Sequence, residues 1–561
     1  MTLLETDCPL AHIVTSKPRA ILLAILSISC LFAFAGRAQA GATAAPGSSA
    51  PYLIIHLDAI PSKLFFEEYD AGQLPNIKAA FQDGKIVRHA VSPFFPGTEM
   101  LYPRLKNGLD VEAQMPITWE MYDRESGETT SHIQTILKLF SYLPRYSLTQ
   151  IIHSVPGMDL LAGCALLNTP RMLDEYRIVE FFWFITDAYG HVFGEESQKE
   201  SIVILDDFFG LLLRQLGSKP VNLVLYADHG MSMFERDYDA EAAMSEIAGD
   251  NVEFLYYPNL HLRDPSLAQA TAERLAARDE LDFAFYRADE SLIVGVHKNG
   301  RVMFRSEGGS ISYSCNGPDP FGYFCLGYQG QPLSDQQWLD LTCKERFPAV
   351  PVQIVRYMDN PLSGDIVAVL NPPKALKTAV GIAGCHAGFA DTDCVVGILM
   401  KGPDIDPSKI PDTFWLYKLH RDILEIDPGN PETARRERNS LMVSGGRIEL
   451  QASPAHRWNG MLSAGSDGWT VTCERSLARS LITQIWTGLG ITSGGEPAGS
   501  PTPVASSRLN FYLGPLVYEY KNLILLPSGK RISSSSLRVE TKCGVIVEWS
   551  HPNRIGLGIT W

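Results

Sequence analysis

The sequence predicts an α/β fold: a three-layer α/β/α arrangement around a central, mostly parallel sheet, with an inserted cap and a C-terminal β-rich region. Three observations carry this. Apolar runs at Tyr52 to Leu57, Ile178 to Ile185 and Val221 to Tyr226 lead to Asp58, Asp187 and Asp228, the pattern of buried strands with a polar group at the C-terminal end. Between the second and third runs, Glu200 to Leu216 sets apolar clusters at helical spacing, which gives strand, helix, strand. Open α/β sheets gather ligands beyond the carboxyl ends of their strands, so three acids delivered to that edge mark a candidate site.

In chain order, Lys17 and Arg19 precede an uncharged run from Ala20 to Gly36, and Ala38, Gln39 and Ala40 give a small-x-small cleavage pattern. Residues 1–40 therefore read as a signal peptide, and 41–51 as a flexible linker. The catalytic domain is expected over 52–430, with a cap inserted at about 235–371. There, helical patterns at Ser266 to Ala277 and Ser334 to Cys343 mix with strands at Ser291 to His297 and Arg301 to Arg305. The α/β pattern resumes at Cys394 to Met400, followed by a helix near Thr413 to Leu424. Residues 431–561 form an accessory region of short β-like segments with a Gly/Ser/Pro-rich linker from Ser493 to Ser507.

Composition restricts the function classes. With 45% apolar and 20% charged residues among 561, the expectation is neither a mainly disordered nor a collagen-like nor a polytopic membrane chain. A net charge of -15 disfavours binding to duplex nucleic acid or an anionic lipid surface. The expectation is an exported protein, periplasmic or secreted, without stable membrane insertion once the signal is removed. Cleavage would leave Cys164, Cys315, Cys325, Cys343, Cys385, Cys394, Cys473 and Cys543, an even set that suits an oxidising compartment. Cys315 with Cys325 and Cys385 with Cys394 are candidate bridges.

Asp58, Asp187, His191, Asp228, His229 and His386 supply three carboxylates and three imidazoles, donors suited to Zn²⁺. Six donors can hold two ions and leave positions open for a substrate, whereas a structural zinc site is closed by four ligands, commonly including thiolates. The candidate nucleophile is Thr98, in Phe94-Phe95-Pro96-Gly97-Thr98-Glu99-Met100. Gly97 permits a sharp turn, and a threonine opening a helix sits where an anion also binds. A threonine hydroxyl is a poor nucleophile until a dication lowers the cost of deprotonating it.

LIIHLDAIP with Asp58, FFPGTEM with Thr98, TDAYGH with Asp187 and His191, LYADHGM with Asp228 and His229, and GCHAGF with His386 resemble the alkaline phosphatase superfamily. The likeness is to its type I phosphodiesterase/nucleotide pyrophosphatase branch, in order and approximate spacing across residues 52 to 424. It implies an alkaline phosphatase-like catalytic domain with two divalent ions, zinc by preference. Asp187, His191 and His386 would hold one; Asp58, Asp228, His229 and the Thr98 oxygen would hold the other. It further implies attack by Thr98 on phosphorus through a phosphothreonine, with a small phosphate ester or nucleotide as substrate. Two departures stand in the residues: Gly97 and Thr98 are adjacent where the branch has one residue between, and Thr118, Trp119 and Glu120 occupy the region of a phosphate-binding asparagine. Lys106 and Asn107 are candidates to replace that contact.

Alternatives follow from the same residues. A phosphomonoesterase or phosphotransferase would use the same metals, and a noncatalytic metal-stabilised binding protein would lack a ligand or the nucleophile, neither of which is missing. A sulfatase would need a C/S-x-P-x-R motif, which the Thr98 turn does not provide. Phe94, Phe95, Met100, Tyr102 and Trp119 near Thr98, with only Arg104 and Lys106 as local cations, favour a diester, whose second substituent needs an apolar wall.

Overall fold

The computed structural model describes residues 50–107, 116–132, 134–135, 159–173, 177–234, 236–377 and 383–426, and ten strands between 438 and 560. The expected signal peptide and most of the linker lie outside these residues. The chain divides into two units, one spanning Ser49–Ala434 and the other containing Arg435–Trp561.

The first unit is a mixed α/β structure. Its central sheet is built from β1 (Tyr52–Leu57), β2 (Lys85–Val91), β3 (Ile178–Trp183), β4 (Asn222–Ala227) and a last strand, Val395–Lys401, in the order β2, last strand, β4, β1, β3. β1 pairs in parallel with both β3 and β4, and the last strand is antiparallel to β4 and β2. β1 and β3 are buried along their whole length, which is why they read as apolar runs interrupted only by His56 and Glu180. The central strand's register sets the site: Leu57 lies opposite Ala227 on one side and Trp183 on the other, so Asp58 and Asp228 leave the sheet at the same level.

Helix α1 (Ile185–Phe193) begins two residues after β3, so Asp187 lies in the first helical turn rather than at the strand's end. α2 (Glu195–Leu216) follows across Gly194, which has φ 83°. Thr98 is the first residue of the helix Thr98–Asn107, as its N-terminal pattern predicts.

The segment from 252 to 369 forms a second, seven-stranded sheet flanked by helices such as Asp335–Thr342, which opens with a Ser334/Gln337 capping box. The expected helix near 413–424 is instead a 3₁₀ turn, Leu416–Lys418, running into a π turn, Leu419–Ile423, because Leu416 and Leu419 are both drawn into the core.

The proposed bridges are absent. Cys315 and Cys325 are both free, as are Cys385 and Cys394. Cys394 is buried, with its Sγ 3.1 Å from the Ala390 carbonyl oxygen, so it behaves as a small core residue. Cys473 and Cys543 fall outside the residues whose side chains are described.

The second unit is a closed antiparallel barrel of ten sequential strands. The Ser493 to Ser507 linker expectation fails at its C-terminal half, since Thr502–Leu513 is one of these strands. A continuous ladder with both neighbours outweighs the turn preference of its serines.

Candidate metal centre

Asp58, Thr98, Asp187, His191, Asp228, His229 and His386 all reach one region. Thr98 Oγ1 donates to Asp228 Oδ2 at 2.7 Å and lies 3.2 Å from Asp58 Oδ1, so the helix N-terminus presents its hydroxyl between two buried carboxylates. Asp58 is held by its own backbone: Thr186 Oγ1 donates to its carbonyl at 2.5 Å, and the next residue, Ala59, takes φ 56°. That left-handed turn aims the Ala59 N–H at Asp228 Oδ1, 3.2 Å away, and Gln198 Nε2 donates to the Ala59 carbonyl at 2.9 Å. A non-glycine residue in this conformation is strained, and these bonds hold it there.

Asp187 and His191 sit one turn apart on α1, with Asp187 Oδ1 3.2 Å from His191 Nε2. His386 joins them from a loop that is stitched to the Asp228-His229 segment, because Gly384 and Cys385 pair antiparallel with Met233 and Ser232. Glycine is required at Gly384, where an added Cβ would meet Met231 Sδ at 2.6 Å. His386 Nε2 lies 3.5 Å from Asp187 Oδ1 and 3.2 Å from His191 Nε2.

The histidines share one arrangement. His191 Nδ1 is 2.8 Å from the Gly384 carbonyl, His386 Nδ1 is 2.9 Å from that of Pro96, and His229 Nδ1 is 2.9 Å from that of Gly230. A carbonyl can only accept, so each Nδ1 carries hydrogen, and in its neutral form each ring would turn an Nε2 lone pair inward. The His191 and His386 lone pairs then face each other beside the Asp187 carboxylate, and His229 Nε2 lies 3.4 Å from Asp58 Oδ1. Facing lone pairs and carboxylates repel unless a cation lies between them, and backbone-anchored imidazoles are the usual support of metal ligands. Donor atoms of Asp58, Asp228 and His229, and of Asp187, His229 and His386, fall within 4.8 Å of one another in two groups. His229 lies in both, between the two halves of the expected ligand set.

Titration behaviour reports the same crowding. Burial and then the neighbouring Asp228 hold the Asp58 carboxyl well above the usual range. Burial also works against ionisation of Asp228 and Asp187, but the imidazoles of His229 and His56 beside the first, and of His191 and His386 beside the second, overcome it and hold both low. Desolvation opposes charge on His191, yet Asp187 pushes it up to about 9. A proton there partly does a dication's work.

Sequence reasoning missed His56 and Glu180. His56 Nε2 lies 3.2 Å from Asp228 Oδ2, its ring is stacked 4.7 Å from that of Tyr226, and its Nδ1 is 3.8 Å from Glu180 Oε1. Glu180 accepts from Tyr102 at 2.5 Å and from Tyr226 at 2.9 Å. A polar residue inside each of two otherwise apolar runs, LIIHL and IVEFFW, was the available signal.

The anticipated apolar wall is core instead. Phe94 packs 4.9 Å from Tyr357, Met100 is fully buried, and Tyr102 bonds Glu180, because the Thr98 helix needs an apolar underside. Arg104 is buried, its Nη1 3.5 Å from the Phe94 carbonyl oxygen. Trp119, partly exposed, packs 4.3 Å from His132. The side chains of Lys106 and Asn107 lie outside those described.

No family model matches the chain, and no curated protein matches it. Among solved structures it is similar to murine ectonucleotide pyrophosphatase/phosphodiesterase 5, with TM-score 0.42 and 15% identity over 67% of this chain and 95% of that one. The human counterpart gives TM-score 0.40 and 15% identity over the same shares. An inactive variant of the murine protein in complex with AMP gives 0.41 and 15%, over 67% and 96%. At that distance the functional reading rests on the centre itself.

Proposed function

We propose that the protein is an exported, metal-dependent hydrolase of phosphate esters, a phosphodiesterase or nucleotide pyrophosphatase acting through a phosphothreonine at Thr98. The observation that carries this is a threonine hydroxyl at a helix N-terminus between Asp58 and Asp228, beside three imidazoles whose Nδ1 atoms are committed to backbone carbonyls. Asp58, Asp228, His229 and Thr98 would hold one divalent ion, and Asp187, His191 and His386 the other. Bound zinc would supply the positive charge that phosphoryl transfer requires and ease deprotonation of the hydroxyl.

The chain's own contribution is alignment. The helix start fixes the Thr98 oxygen for in-line attack, forming the Thr98 oxygen–phosphorus bond as the bond to the leaving oxygen breaks. Water then releases the phosphoryl group from the threonine. Charge favours a diester: three carboxylates and three neutral imidazoles with two dications leave a net charge of about +1, matched to a monoanionic group. The exposed apolar pair Val192 and Phe193, 58% and 52% accessible on the helix that carries Asp187 and His191, offers surface for the second substituent.

A hydrolysis screen with zinc supplied tests this reading. Bis(p-nitrophenyl) phosphate should be cleaved with higher kcat/KM than p-nitrophenyl phosphate. A clear preference for the monoester would favour the phosphatase alternative, and transfer only to an added acceptor would favour the phosphotransferase.

A further inference from the structure

Among the described residues no helix is long and apolar enough to cross a membrane, but the second unit raises the question in another form. Its strands are Arg438–Ser444, Arg447–Ala455, Trp458–Gly465, Gly468–Arg479, Thr483–Thr492, Thr502–Leu513, Leu516–Leu525, Arg531–Glu540, Val545–Ser550 and Arg554–Thr560, each paired antiparallel with the next and the last with the first. Residues paired in register share a face of the barrel wall. One row runs Ile559, Leu441, Leu450, Leu462, Val471, Ile491, apolar across six strands. A row on the other face runs Arg538, Glu548, Gly556, Ser444, Arg447. The division is weaker across three neighbouring strands, where Ser507, Asn522 and Ser533 fall on the apolar face and Leu523 and Ile532 on the other. The apolar face carries two charges, Arg475, paired with Trp458 at the start of its strand, and Arg531, itself the first residue of a strand.

Such a barrel is either water-borne with an apolar interior or lipid-borne with a polar one. The glycines decide between them. Gly465, Gly468, Gly488, Gly490, Gly556 and Gly558 fall on the charged face, against Gly460 on the other. A solvated outer face has no packing need for glycine, which weakens a strand, whereas the interior of a small barrel alternates small and large residues to fill its space. Of the four tryptophans in these strands, three lie on the apolar face near the ends of the wall, Trp458 at one and Trp469 and Trp549 at the other, as at the two interfaces of a bilayer, and Trp486 lies on the charged face. Five strands hold 10 or 12 residues, close to the roughly 9–11 that a tilted strand needs to span lipid. The connections also differ by end. Those at the end where the chain enters the first strand cover 456–457, 480–482, 514–515 and 541–544, all short, whereas the other end includes 493–501 and 526–530.

We infer that residues 438–560 are a transmembrane β-barrel whose apolar face meets the acyl chains of a bilayer and so anchors the chain there. The inference replaces the expectation of no stable membrane insertion. That expectation rested on composition, net charge and loss of the signal peptide, none of which registers strands that alternate apolar and polar residues.

The test is flotation of the full chain after refolding with dilauroylphosphatidylcholine vesicles, followed by an alkaline carbonate wash. The wild type should float and resist the wash. Leu450→Arg, on the apolar row, should reduce the floated fraction roughly tenfold or more, whereas Gln451→Arg, on the charged face, should float like the wild type. Brominated lipid should quench tryptophan emission in the wild type, and quenching should fall when Trp458, Trp469 and Trp549 are changed to Phe. A wild-type chain that stays in the aqueous phase, or takes up a fatty-acid probe there, would overturn the proposal. So would flotation equally sensitive at both faces, or flotation without quenching.

Discussion

Thr98 and the groups around it allow the sharpest tests. Thr98→Ala removes the proposed nucleophile and leaves the six other proposed donors, so the variant should retain most of any zinc bound by the wild type and lose turnover by several orders of magnitude, as metal analysis beside a rate assay would show. His56 acts only through Asp228, as a positioning residue. His56→Phe should weaken zinc binding by about 10–100-fold in chelator competition with the far-UV spectrum unchanged, and an unchanged affinity would remove it from this role. Glu99, 8% exposed, is pushed up to about 8 by burial. In metal-free protein the unfolded chain ionises this carboxyl first, near pH 4.5, so stability is lost as pH rises from there to about 8. Metal-free Glu99→Gln should therefore melt higher than the wild type at pH 8 and at nearly the same temperature near pH 4, and melting curves at the two pH values check the sign.

At the scale of elements, close backbone approach joins the two halves of the centre. Gly230 follows His229, and a Cβ there would lie 2.1 Å from the Thr392 carbonyl oxygen. Gly230→Ala should destabilise the first unit by about 1–3 kcal/mol, read as a lower denaturation midpoint, because the neighbour is backbone and cannot rotate away. Much at this scale was legible in the sequence. β1, β3 and β4 could be read because burial makes them mainly apolar runs, and Asp58 and Asp228 because an acid ends two of those runs at matched register. His56 and Glu180 were passed over because the same runs that reveal a strand conceal a polar residue within it. The aromatic wall was misplaced because sequence proximity to Thr98 does not tell which side of its helix is core. The barrel's alternation is weak in any single strand, so only the register across strands reveals it.

For the molecule as a whole, the proposed two-metal phosphoryl-transfer centre lies in the first unit and the proposed membrane barrel is the second. Asp58 and Asp228 are buried and Asp187 is half-buried, and ions that bind only the folded state should stabilise it by mass action. The most direct measurement is the metal content of purified active protein alongside hydrolysis of bis(p-nitrophenyl) phosphate, before chelation, after it, and after zinc is restored. The account predicts about two equivalents of zinc per chain, with activity and melting temperature falling together on chelation and both returning with zinc. Activity that persists in exhaustively metal-free protein would contradict it.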